Sequence, residues 1–201
     1  MLVKWMRCTV VDRRGFERGQ RKWAGLLGEA GFRGQGGGWS QRRDAVAHVF
    51  SFWESRALYD AFMANSHDRL AAAQSGTYQE RQVRLFEHRF DVKVGFEPKF
   101  TDVDVLRIAH CRVHEDRVEH FVQVQEKVWN PAMAGSPGML RGFFGEAPGS
   151  EFLVLSMWNS VAEHGKYRTE RVERLALRAQ TEADVAAIAG DVVSIEPLWT
   201  V

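Results

Sequence analysis

Long apolar runs are missing from this 201-residue chain. No stretch reaches the roughly 20 apolar residues that a membrane-spanning helix needs, so a membrane is not an expected partner. The opening segment Met1–Asp12 also lacks the charged start, apolar run and small-residue cleavage site of a secretion signal. A cytoplasmic location is the expectation. Cysteine is scarce: Cys8 and Cys111 are the only two, and both sit in apolar strand-like runs. That excludes a disulfide-stapled scaffold and predicts two buried thiols. Excess charge is missing too. Lys and Arg number 27 against 26 Asp and Glu, a formal net charge of +1, which gives no general pull toward nucleic acid.

Several catalytic signatures are also absent. There is no His-Glu-x-x-His and no cysteine pair at ligand spacing, so no metal site is predicted. Gly36, Gly37 and Gly38 lie without a phosphate-loop lysine and off the dinucleotide spacing. They predict a bulge, a tight turn or a close backbone approach, not a nucleotide site. No serine occupies a nucleophile elbow. No cofactor is expected.

What is present is a well-stocked apolar core: 45% apolar residues, with 7 Trp and 13 Phe. Period-two alternation predicts strands over Val3–Val11, Ala45–Trp53 and Gln82–Val92. It predicts further strands over Asp104–Val113, Met139–Gly145, Glu151–Trp158 and Asp191–Leu198. The start of the 31–39 run reads as one more short strand. Helices are predicted over Asp12–Ala30, after the cap Ser55, over His67–Ala73, over Arg117–Trp129 and over Val161–Arg178. Pro131 is expected to kink or end the fourth of these.

The pattern occurs twice. Phe50–Ser55 recurs as Leu155–Ser160 at an offset of 105 residues, which also carries Phe16 to Phe121 and Phe62 to Tyr167. Gly31-Phe32 recurs as Gly138-Met139 at offset 107, and Cys8 as Cys111 at offset 103. This order of landmarks predicts a duplication. The expected fold is α+β: tandem ferredoxin-like βαββαβ units forming an intramolecular dimeric α+β barrel. The first domain is placed at residues 1–97 and the second at 102–201, with Gly95 and Pro98 interrupting the pattern. Since one chain supplies both sheets, a monomer is expected, or a homodimer formed through outer surfaces.

Trp5, Gly31-Phe32, Phe52–Ser55, Tyr59 and Phe62, with Gly138-Met139, Ser156–Ser160, His164 and Tyr167, resemble the antibiotic-biosynthesis-monooxygenase-like group of the dimeric α+β barrel superfamily. Nearly the whole chain is covered, and it is similar to a bacterial subgroup with tandem domains. The motifs are mostly structural. The resemblance implies a cofactor-independent monooxygenase-like enzyme acting on a small aromatic or quinol-like molecule. Deprotonation of the substrate would precede reaction with oxygen. Two alternatives stay open: a haem-binding or haem-degrading protein, and a non-catalytic small-molecule-binding or stress-related protein.

Candidate residues follow from chemistry and position. Arg7 and His110 match at offset 103. If their strand faces point under the helices, arginine can hold an enol oxygen and histidine can move a proton. Otherwise both sit at an edge or pair with carboxylates. His67 and Asn65 lie at a helical junction, where they can meet a substrate carbonyl or hydroxyl, or simply cap a helix. His88 alternates with Phe86 and is placed toward the cavity of Arg7; a hydrogen-bonded core histidine is the plainer reading, there and at His48. Trp5 and Trp53 are expected either to line a cavity or to pack a core. His67 or His88 as base, with Arg7 as oxygen-binding donor, and Trp5, Asn65, Trp53, Phe86 and His110 around the substrate, place the better pocket in the first half.

Overall fold

The computed structural model describes residues 1–201. The first half runs β1 (Leu2–Val10), α1 (Arg13–Arg21), a 3-10 segment (Lys22–Leu26), β2 (Phe32–Ser40), β3 (Val46–Trp53), α2 (Arg56–Asn65), α3 (His67–Ala71) and β4 (Tyr78–Asp91). The second half repeats the order. It contains β5 (Val105–Val113), α4 (Val118–Val124), α5 (Asn130–Ala134), β6 (Met139–Ala147) and β7 (Glu151–Trp158). It ends with α6 (Val161–Tyr167), α7 (Glu173–Arg178), α8 (Thr181–Asp184) and β8 (Val185–Ile195). In the first unit hydrogen bonding orders the strands β4-β1-β3-β2, and in the second β5-β7-β6. No helix is long and apolar enough to cross a membrane.

Two compact units emerge. One comprises Met1–Glu87, Pro98–Phe100 and Val193–Val201; the other comprises His88–Glu97 and Thr101–Val192. The ends of β4 and β8 therefore belong to the unit opposite in sequence. In the first unit β2 pairs with the end of β8 through Gly38↔Ile195 and Ser40↔Val193.

The duplication is visible atom by atom. Gly31 and Gly138 take φ of +74° and +75°, a region glycine enters without steric cost. Their carbonyls accept from Glu54 N at 2.7 Å and Asn159 N at 2.9 Å. Trp53 Nε1 donates to Ser51 Oγ (3.2 Å) and Trp158 Nε1 to Ser156 Oγ (2.9 Å). Trp53 meets Tyr59 at 5.7 Å and 67°; Trp158 meets His164 at 5.4 Å and 67°. Ser55 and Ser160 each cap the helix that follows, accepting from the backbone N–H three residues on.

The three consecutive glycines mark a close approach in the first unit. A Cβ on Gly36 would strike the Phe100 ring, one on Gly37 the His48 carbonyl, and one on Gly38 would lie 1.8 Å from the Ser194 carbonyl. Gly38→Ala is therefore expected to destabilise the protein by about 1–3 kcal/mol or more, because two backbones must part. Urea denaturation measures this; an unchanged midpoint would show that the approach relaxes freely.

Several predicted boundaries move for physical reasons. Asp12 caps α1 by accepting from Gly15 N at 2.9 Å, but α1 stops at Arg21. The chain tightens to a 3-10 turn, so Trp23 and Leu26 are buried three apart while Leu27 is exposed. Pro131 does not end the fourth helix. It stands at the second position of α5, directly after a π-helical turn at Gln125–Trp129. The buried row there is Phe121, Gln125, Trp129 and Met133, with Val124 and Val128 partly buried against the same core. A second π turn, Arg168–Val172, stretches the step from Tyr167 to Val172. Strands β4 and β8 begin earlier than the alternation suggested, and Pro197–Trp199 is a 3-10 turn, not strand. Cys8 and Cys111 are buried free thiols, as expected.

Candidate functional site

Alternation along β1 decides what faces the helices. Leu2 packs with Trp23 and Trp53, while Met6 and Cys8 pack with Phe16. Lys4 belongs to this same face. Trp5 and Arg7 lie on the other face, so the condition that would have brought Arg7 under the helices fails. In the second unit Arg107, Ala109 and Cys111 face the helices. His110 alternates to the opposite face and bonds Glu151 Oε2 at 3.0 Å.

Most of the predicted site residues are satisfied elsewhere. Arg7 is half-buried on β1, with His48 and Gln82 as its cross-strand neighbours. Trp5 donates from Nε1 to His48 Nδ1 at 3.0 Å and stacks near Phe50; Phe86 packs against it at 6.5 Å. His67 is buried between the Trp23 and Phe62 rings, with Nδ1 2.9 Å from Asp68 Oδ1. Asn65 is exposed and donates to the Ala61 carbonyl of its own helix at 2.7 Å. His88 sits in the second unit with Nε2 2.8 Å from Asp91 Oδ1. None of Arg7, Trp5, Asn65, His67, Phe86, His88 or His110 lines either of the two cavities covered by helices. Trp53 does line the first.

That first cavity brings together Lys4, Gln20, Trp23, Gln35, Ser51 and Trp53. It is small, about 10 Å³, room for about one water molecule. Its cover is pinned: Trp23 Nε1 donates to Gln74 Oε1 at 2.9 Å, and Gln74 Nε2 reaches the Phe16 carbonyl at 3.4 Å. Gln20 is 1% exposed, and neither its amide nitrogen nor its amide oxygen has a partner. Lys4 has no carboxylate and no hydrogen-bond partner. Its ammonium stands 5.6 Å from the centre of the Trp23 ring. Burial, with Arg81 adding repulsion, pulls the Lys4 amine down to about 8. An amine so placed divides between its neutral and charged forms just above neutral pH.

The second cavity, in the other unit, is larger at about 130 Å³ and mostly apolar, with Phe121, Trp129, Met133 and Val154 in its walls and Arg107 at its edge. Lys4 and Arg107 correspond at offset 103. Each unit thus sets one cation beneath its helices at the same strand position. This signal was present in the sequence as a matched pair of charges on an otherwise apolar strand face.

Residues 2–86 match the family described as a domain of unknown function, DUF4937. The protein YdbC of Bacillus subtilis strain 168, described as uncharacterised, is 39% identical over 116 residues, spanning 56% of this chain and 92% of YdbC. Among solved structures, an anthrone oxidase-like protein has a similar fold, with a TM-score of 0.70 at 13% identity over 97% of this chain and 91% of that one. So does a Listeria monocytogenes ferredoxin-fold protein described as related to antibiotic biosynthesis monooxygenases, with a TM-score of 0.56 at 9% identity over 98% and 96%. At these identities the structural likeness is one of fold.

Proposed function

The chain belongs to the family of Bacillus subtilis YdbC, and from that premise we propose a cofactor-independent, monooxygenase-like enzyme acting on a small aromatic molecule with an acidic hydroxyl or methylene. The observation that carries this reading is Lys4: an amine without a carboxylate partner, held near its titration midpoint, beside the unpartnered Gln20 amide. Arg7, His67 and His88 are not assigned these roles in the proposal, because none of them lines either helix-covered cavity.

The chemistry balances with molecular oxygen as the oxidant. Neutral Lys4 takes the substrate proton, leaving a carbanion or enolate beside its ammonium. The Gln20 amide N–H donates to the oxygen that gains charge. Oxidation of a ring methylene to a carbonyl then consumes one O₂ and releases one water. As it stands the cavity holds about one water, so entry of an aromatic requires the Trp23–Gln74 hydrogen bond to break and the Lys22–Leu26 cover to lift. Trp23 and Trp53 then flank the ring. Neither cavity wall includes a histidine, so the haem alternative gains no axial ligand here.

The test is oxygen uptake with a panel of anthrones and quinols across pH. The rate is expected to rise through about pH 8 as the Lys4 amine loses its proton. Absence of uptake with every member of the panel, or a profile flat from pH 6.5 to 9.5, would overturn the proposal.

A further inference from the structure

We propose that the helix-covered cavity of the second unit is a binding site for a small apolar carboxylate of about benzoate size, its anionic head held by Arg107. This site is independent of the Lys4 chemistry.

Size comes first. The cavity measures about 130 Å³. An engineered protein cavity of roughly 150 Å³ holds benzene, so one ring with a small substituent at the mouth is the right scale. The walls suit a ring: Phe121, Trp129, Met133 and Val154 are apolar and buried or nearly so.

Charge comes second. Arg107 is half-buried and has neither an ion pair nor a hydrogen bond. No aspartate or glutamate stands in the cavity wall. A guanidinium partly withdrawn from water and left unpaired is costly, and a carboxylate can meet it with two parallel hydrogen bonds. Cys111, on the cavity wall, is held by burial up to about 11, so its thiol is neutral and does not compete as an anion. Gln125 does not compete either, since its amide donates to Asn130 Oδ1 at 2.6 Å.

A carboxylate accepts from the guanidinium while its hydrocarbon part fills the apolar space. Inorganic phosphate fits less well: it is more strongly hydrated, needs more donors than one guanidinium supplies and has no apolar part for the cavity.

The experiment is calorimetric titration of the full chain with benzoate, benzamide and inorganic phosphate, with NMR shifts of the Trp indoles to locate binding. Benzoate is expected to bind at least tenfold more tightly than benzamide and to shift Trp129 rather than Trp23. Phosphate is expected not to bind. Arg107→Met should erase the preference for benzoate. Ala176→Phe, which fills the cavity from its wall without changing charge, should remove both aromatic ligands. If Arg107→Met fails to fold, the benzoate-to-benzamide ratio in the parent and the Ala176→Phe result decide. Equal affinities, phosphate binding as tight as benzoate, shifts at Trp23 instead, a preference surviving in Arg107→Met, or no benzoate binding at all would each overturn the proposal.

Discussion

Lys4→Met is expected to lower the oxygen-consuming rate by about 10²- to 10⁴-fold, the usual share of a positioned general base. Lys4→Arg should lose as much, because a guanidinium stays protonated and cannot accept the proton. Stability should move the other way. The folded-state value of the Lys4 amine, about 8, lies below its ordinary 10.5. Between those two values the unfolded chain binds more protons than the folded one, so stability rises with pH across that window. Below about 8 the cost of burying the charge is present in full. Methionine removes that cost while filling similar space. Lys4→Met is therefore expected to stabilise the fold at neutral pH, by up to about 3 kcal/mol. Loss of rate with gain of stability is what separates a functional lysine from a structural one. Urea denaturation and oxygen uptake on the same sample measure both. A variant that loses stability and rate together would assign Lys4 to the scaffold.

The second large effect concerns the repeated tryptophans. Trp53→Ala and Trp158→Ala are each expected to cost about 3–5 kcal/mol, because each removes a fully buried indole from among aromatic neighbours. Phenylalanine should cost less but leaves Ser51 or Ser156 without its indole donor. The two sites then part company. Trp53 lines the first cavity, whereas Trp158 does not line the second. Trp53→Phe is expected to alter aromatic binding in the first unit, and Trp158→Phe to leave benzoate affinity in the second unit unchanged. A cost below about 1 kcal/mol for either alanine variant would contradict the reading of these residues as the anchors of the duplicated unit.

The duplicated fold was legible because its landmarks are local and bulky. Glycine at a left-handed turn, tryptophan ending a strand and serine capping the next helix each answer one physical demand, and each demand occurs twice. The helix registers were less legible. Trp23 and Leu26 follow a 3-10 turn, and the π turns at Gln125–Trp129 and Arg168–Val172 lengthen the spacing of buried positions. A period of 3.6 cannot show either.

The site was hidden for a different reason. Both faces of β1 are apolar, so alternation separates Leu2, Lys4, Met6 and Cys8 from Val3, Trp5, Arg7 and Thr9 without saying which set the helices cover. Histidines drew attention because they titrate near neutral pH, yet each candidate has found a partner. Asp68 beside His67 and Asp91 near His88 were close in sequence. Glu151 against His110 was 41 residues away and out of sight. Lys4 and Arg107 carried the opposite signal, charges for which the fold provides no partner.

The proposed catalysis turns on the state of one amine. Reductive ¹³C-methylation of the lysines, with the Lys4 resonance assigned by its loss in Lys4→Met, allows that amine to be titrated by NMR in the folded protein. A midpoint near 8 is the expected result. A midpoint at the ordinary value of 10.5 would show an amine almost wholly charged at neutral pH, with too little of the neutral form to serve as the base, and would contradict the proposed chemistry.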